Sequence, residues 1–195
     1  MVDLGHIREH IISKLRTLPA SLTYHNLDHT LDVETQCMII AKETGVTNEQ
    51  TLLELRIAAL YHDAGFLYVY EGHEEKSCEL AKNELAGFEV TEKAIGNICE
   101  IILATKLPHA PENLPQQIIC DADLDYLGRD DYFIINEKLH KEFLTYEITP
   151  NEEVWESSRI AFLQSHSYFT KYSKQKRTPK KLEHLNYLIN INSTY

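Results

Sequence analysis

Apolar residues recur at intervals of three and four along most of the chain, the spacing that lines them up on one stripe of an α-helix. Ile7, Ile11, Leu15 and Leu18 form the first stripe, which Pro19 ends. A second helix is predicted from about Leu27 to Thr44. Thr47-Asn48-Glu49-Gln50 has the Ser/Thr-x-x-Glu/Gln form of a capping box and opens a third helix that runs to His62-Asp63, with Gly65 as its stop. Its apolar residues, Leu52, Leu53, Leu55 and Ile57 to Leu60, go almost all the way round the axis, which marks a helix buried on every side. Helical stretches follow at about 74–86, 92–106, 115–127 and 131–145. Thr149-Pro150-Asn151-Glu152 joins a capping box to a proline at the first helical position, and Thr178-Pro179 opens the last helix in the same way. Alternation of period two is short and scattered, best at Phe66 to Tyr70. The pattern predicts an all-α, compact single-domain helical bundle of about eight or nine helices spanning 1–195.

Composition keeps that picture. The 195 residues are 43% hydrophobic and 25% charged, ordinary for a globular chain, and Gly 7 and Pro 6 are too few to divide it. No apolar run approaches the roughly 18 residues of a membrane span, and Met1 to His6 lacks the order of a signal peptide. Cys37, Cys78, Cys99 and Cys120 lie far apart among helical residues and read as reduced, packed thiols, so a soluble cytoplasmic protein is expected. A formal charge of −11 disfavours duplex nucleic acid as a partner, whereas a bound dication would reverse the local sign for a small phosphorylated substrate.

Three features carry candidate chemistry. His62-Asp63 ends the most buried helix, where a carboxylate needs a counter-charge; a metal ion would supply it, and a capping Asp beside a core histidine is the plainer alternative. His25 and His29 stand four apart at a helix start, and His29 heads a stripe with Val33, Cys37 and Ile40, which suits a ligand or a hydrogen-bonded core histidine alike. The third is Asp121-Ala122-Asp123-Leu124-Asp125. A projection at about 100° per residue sets Asp123 among Ile118, Ile119, Ala122, Tyr126 and Leu127 and leaves Asp121 and Asp125 outside that arc. Asp123 is therefore the acid expected to be buried, the alternative being a solvated acidic face.

In this order the three features resemble the HD superfamily of metal-dependent phosphohydrolases, whose pattern is a histidine, a later His-Asp pair and a distant aspartate. The resemblance covers about Tyr24 to Arg129, the metal-site core, with the helices of 150–195 packing onto it. It implies His29, followed four places on by Val33, with His62, Asp63 and Asp123 as metal ligands. It also implies hydrolysis of a nucleotide-like phosphoester or pyrophosphate by attack of a metal-bound hydroxide. Two imidazoles and two carboxylates leave positions open on an octahedral ion and suit Mn, Fe, Co or Ni, with Mg also considered, as one ion or two.

Asp63 is expected to orient the nucleophile, and His73 and Glu74 to transfer protons or support the ligands, against the alternative of a surface helix start. His25, Lys106 and Arg129 are candidates for binding substrate, the two basic residues through its phosphate. His109, between Pro108 and Pro111, is expected at the surface unless it serves a second metal. The competing functions are a di-iron oxygenase of the HD type, which requires His73 and His109 as ligands, and a non-catalytic nucleotide-binding regulatory module. For Trp155 to Tyr195, including His166 to Thr170, the sequence offers packing but no chemistry.

Overall fold

The computed structural model describes residues 2–192. Nine α-helices follow one another among them: α1 Leu4–Leu15, α2 Leu27–Glu43, α3 Glu49–Tyr61, α4 His73–Leu85, α5 Glu92–Leu103, α6 Leu114–Asp123, α7 Tyr132–Thr145, α8 Glu152–Ser165 and α9 Lys171–Asn192. Short 3₁₀ turns at Ala64–Leu67, Ala86–Phe88 and Asp125–Gly128 join some of them, and no strand is present among the described residues. The fold is all-α. No helix among the described residues is long and apolar enough to cross a membrane, and all four cysteines are free and buried.

Asparagine and aspartate side chains start most of the helices by accepting the orphan N–H groups of the first turn. Asp3 accepts from His6 N, Asn26 from Asp28 N and His29 N, Asn113 from Gln116 N. Two of the expected caps shift. Asn48, not Thr47, accepts from Thr51 N, and Asn151, not Thr149, accepts from Val154 N, because each asparagine stands immediately before the first helical residue. The last helix begins earlier than Thr178: Thr170 Oγ1 accepts from Ser173 N at 3.1 Å, and Pro179 lies inside α9. Phe66 to Tyr70 is not a strand either, since the chain leaves Asp63 through the 3₁₀ turn.

Helix α3 is the axis of the larger core, with α1, α2, α5 and α6 packed around it. Ile57, Ala58, Ala59, Leu60 and Tyr61 are each fully buried, and every Leu or Ile so buried contributes roughly 1.5–3 kcal/mol relative to exposure. A smaller core gathers Tyr24, Leu124, Tyr126, Leu127 and Tyr132 with Leu163, Tyr168, Leu185 and Leu188 of the C-terminal helices. Two contacts tie those helices down. Asp121 accepts from Phe169 N (2.7 Å), Thr170 N (2.8 Å) and Thr170 Oγ1 (2.7 Å). Gly128 lies so close to α9 that a Cβ there would stand 2.4 Å from the Arg177 carbonyl oxygen.

Candidate metal centre

The first histidine is delivered by a cap. Asn26 closes the N-terminus of α2, and one turn on the His29 ring points inward against the face of Tyr24, centroids 4.5 Å apart. At the end of α3 the chain adds His62 and Asp63. His62 Nδ1 donates to the Ala59 carbonyl at 2.8 Å, one turn back, which turns Nε2 toward the site. From α6 comes its last residue, Asp123.

The four side chains converge. The Nε2 atoms of His29 and His62 are 3.4 Å apart. Asp123 Oδ1 lies 3.1 Å from His29 Nε2 and 3.5 Å from His62 Nε2, and Asp63 Oδ2 lies 3.4 and 3.2 Å from the same two atoms. Ligand atoms of His29, His62 and Asp123 all fall within 4.8 Å of one another, a set able to hold a metal ion, with Asp63 against both imidazoles. Asp63 Oδ2 is buried and makes no hydrogen bond. A carboxylate oxygen so placed is costly unless a cation meets it, so the donor set fits a divalent ion with mixed N/O ligation. Burial works against ionisation of Asp63, yet His62 beside it holds its carboxyl well below the usual range; Asp123 is depressed against the same burial by His29 and His62. Burial likewise lowers His62, but Asp63 and Asp123 outweigh it and raise the ring. The acids and the His62 ring thus favour each other's charged forms, and a bound ion would compete with a proton at that ring.

The next layer comes from the 3₁₀ turn and α4. Gly65 N donates to Ser77 Oγ (2.8 Å), which in turn donates to the His62 carbonyl (2.6 Å). A Cβ on Gly65 would stand 2.0 Å from the His73 carbonyl oxygen, so only glycine lets the start of α4 come this close. His73 Nδ1 donates to the Tyr70 carbonyl at 3.1 Å, and its Nε2 lies 3.5 Å from Asp63 Oδ1. Glu74 is buried one step further out, its Oε2 3.6 Å from His73 Nδ1.

His25 is placed by a residue that sequence reasoning missed. Glu142 of α7 is fully buried; its Oε2 accepts from Tyr24 N (2.8 Å) and His25 N (3.0 Å), and its Oε1 takes His25 Nδ1 and the Tyr70 hydroxyl (3.0 Å). Burial opposes the charge on each partner, but their mutual bond wins, raising His25 and lowering Glu142. The one available signal was a glutamate on the α7 stripe three residues after Leu139 and seven after Ile135.

The remaining candidates lie elsewhere. Lys106 pairs with Glu75 at the surface. Arg129 pairs with Asp32 (2.7 Å) and Asp131 (2.8 Å). His109 is half-buried, with Nε2 at 3.0 Å from the Thr105 carbonyl, and does not belong to the ligand set found among the described residues. The projection over 118–127 is corrected. Asp121 and Asp125, expected outside, are 0% and 1% exposed, while the Asp123 side chain retains 17%. Helix α6 ends at Asp123, so a single helical phase cannot extend to Asp125, and the 166–170 segment covers Asp121. Asp125 is met instead by Arg177 at 2.8 Å.

Fold and site together define an all-helical domain whose interior gathers a histidine, a His-Asp pair and an aspartate where an ion could sit. The family model of the HD domain matches residues 26–125, and the chain belongs to that family. Among solved structures it is similar to a predicted HD superfamily hydrolase from an uncultured Thermotogales bacterium. The two are 17% identical over 98% of this chain and 92% of that one, with a TM-score of 0.61, which shows a shared fold. No curated protein matches the chain.

Proposed function

We propose that the protein is a metal-dependent phosphohydrolase that acts on a small phosphorylated substrate, a nucleotide-like phosphoester or pyrophosphate. The observation that carries this reading is the convergence of His29, His62, Asp63 and Asp123, with His62 Nε2 turned toward the acids and Asp63 Oδ2 left without a hydrogen bond. Membership in the HD domain family supports hydrolysis with a divalent ion, and the similar Thermotogales protein is a predicted hydrolase of the same superfamily.

His29, His62 and Asp123 would hold the ion with Asp63 beside them; Mn, Fe, Co or Ni suits the nitrogen and oxygen donors. When bound, such an ion acidifies water and polarises a phosphoryl oxygen. The protein's own groups supply the rest. Asp63 Oδ1 and His73 Nε2, 3.5 Å apart, can orient a water and take up its proton, and Glu74 stands behind His73. His25, its Nδ1 bonded to Glu142, has no protein partner on Nε2 among the described residues and can donate a proton there to a departing oxygen. A net charge of −11 favours a small substrate met by a dication over an extended polyanion.

The test is a panel of nucleoside mono-, di- and triphosphates with Mn²⁺, Co²⁺, Ni²⁺ or Mg²⁺, run on the wild type and Asp63→Ala. Phosphate or pyrophosphate release that needs the metal and falls at least about 10³-fold in the variant, with helicity retained, is the expected result. Equal turnover by both proteins would remove the site from the reaction.

A further inference from the structure

Phe66 stands between two imidazoles. Its ring stacks on His25 at 4.4 Å and 24° on one side and on His73 at 4.0 Å and 22° on the other. Tyr70, four residues on, meets Phe66 edge-on at 5.1 Å and is bonded to both sides of this sandwich. Its backbone carbonyl accepts from His73 Nδ1 at 3.1 Å, and its hydroxyl donates to Glu142 Oε1 at 3.0 Å, the oxygen that also takes His25 Nδ1. Tyr70 also stacks on the ring of Tyr146 at 4.4 Å and 29°, and the Tyr146 hydroxyl lies 2.8 Å from Ser21 Oγ.

We infer that Tyr70 is a positioning residue that orients the two flanking imidazoles together, His73 through its carbonyl and His25 through its hydroxyl on Glu142. The inference rests on the phosphohydrolase reading of the site. The buried Glu142 carboxylate has four donors: two N–H groups of the 24–25 segment, the His25 ring and the Tyr70 hydroxyl. The first three belong to the segment being positioned, and Tyr70 alone anchors the carboxylate from the α4 side of the site. Charge-assisted bonds of this kind set orientation as well as energy.

The step it serves balances. Water oxygen forms the new bond to phosphorus and its proton passes to the Asp63–His73 side. The bond from phosphorus to the leaving group breaks with its electron pair on the departing oxygen, which takes the proton from His25 Nε2. A departing alcohol needs that proton, whereas p-nitrophenolate, a weak base, leaves without it. Loss of the Tyr70 hydroxyl should therefore be felt on one substrate and not on the other, a distinction that general loosening of the fold would not produce.

Tyr70→Phe keeps the ring, the stack and the carbonyl and removes only the hydroxyl. Tyr146→Phe removes a hydroxyl of the same stacked pair that does not touch Glu142. With the Mn²⁺-loaded proteins, Tyr70→Phe is expected to lower kcat on adenosine 5′-monophosphate about tenfold. KM on that substrate and kcat on p-nitrophenyl phosphate should each stay within about twofold. Tyr146→Phe should alter neither substrate. In the Mg²⁺-loaded wild type, proton NMR should show a low-field His25 Nδ1–H resonance that disappears in His25→Gln, moves upfield in Tyr70→Phe and stays in place in Tyr146→Phe. Equal loss on both substrates, or a resonance unmoved in Tyr70→Phe, overturns the role given to Tyr70 while the hydrolase reading stands. A wild type inert toward both substrates and the nucleotide panel overturns that reading and this proposal with it.

Discussion

A histidine in this protein is defined by what its second nitrogen meets. His62 gives Nδ1–H to Ala59 and turns Nε2 to the acids, and His25 gives Nδ1 to Glu142. His166 has neither kind of partner: both ring nitrogens are buried without a hydrogen bond, between Phe162 and Tyr168. Burial, helped by the nearby Lys181 charge, pushes its pKa from the ordinary 6.5 down to about 3. The sign follows directly. Between those values the unfolded chain binds a proton that the folded one refuses, so the folded state loses stability as pH falls below 6.5 and keeps it in full above. His166→Phe, which fits between two aromatic rings, should gain on the wild type by about 1–2 kcal/mol between pH 7 and pH 5, read by urea unfolding at both values. Parallel pH dependence in the two proteins would show that His166 titrates freely. His29, His62, Asp63 and Asp123 stood out through the resemblance to the HD pattern, a histidine, a His-Asp pair and a distant aspartate in that order, and their side chains lie together in the structure. Glu142 and Tyr70 were hidden, since a glutamate in an amphipathic helix and a tyrosine in a short loop read as surface until the chain closes 117 and 72 residues of separation onto them.

Helices were legible where apolar period and breakers agreed, as for α2, α3 and α5, and their starts were misplaced wherever two capping residues competed. Asn48 against Thr47 and Asn151 against Thr149 differ by which side chain stands next to the first helical N–H, a matter of backbone direction that spacing does not encode. Pro179 misled more strongly: the Asp121–Thr170 contact sets the start of α9 from another part of the chain. The turn after α3 shows the same dependence on distant packing. Gly65 looked like a helix stop, yet its more demanding task is to let α4 approach, since a Cβ would sit 2.0 Å from backbone oxygen of His73. Backbone cannot swing aside as a flexible side chain does, so Gly65→Ala should cost about 3 kcal/mol, the upper end of overpacking penalties. That corresponds to a fall in Tm of roughly 6–12 °C for a chain of this size. Because His73 moves with the displaced helix, metal affinity should drop as well, about tenfold by titration calorimetry. A variant melting within about 2 °C of the wild type would show that α4 is not held by this contact.

The candidate ligand set spans the larger core, one histidine from the start of α2, the His-Asp pair from beyond α3 and one aspartate from the end of α6. Without an ion the two buried acids are met by the His62 ring, whose pKa they raise. An ion that binds the folded chain alone therefore acts as a clamp on three helices, and its binding energy appears as folding energy. At a hundredfold excess over Kd this is about 2.7 kcal/mol, or roughly 5–10 °C in Tm for a chain of this length. Saturating Mn²⁺ or Co²⁺ should raise the melting temperature by that amount, and EDTA should return it to the starting value. Asp123→Ala should melt at one temperature with or without metal, because the set loses one of the two carboxylates that lie near both imidazoles. A wild type whose melting ignores every divalent ion tried would mean that these four side chains neutralise one another and hold nothing between them.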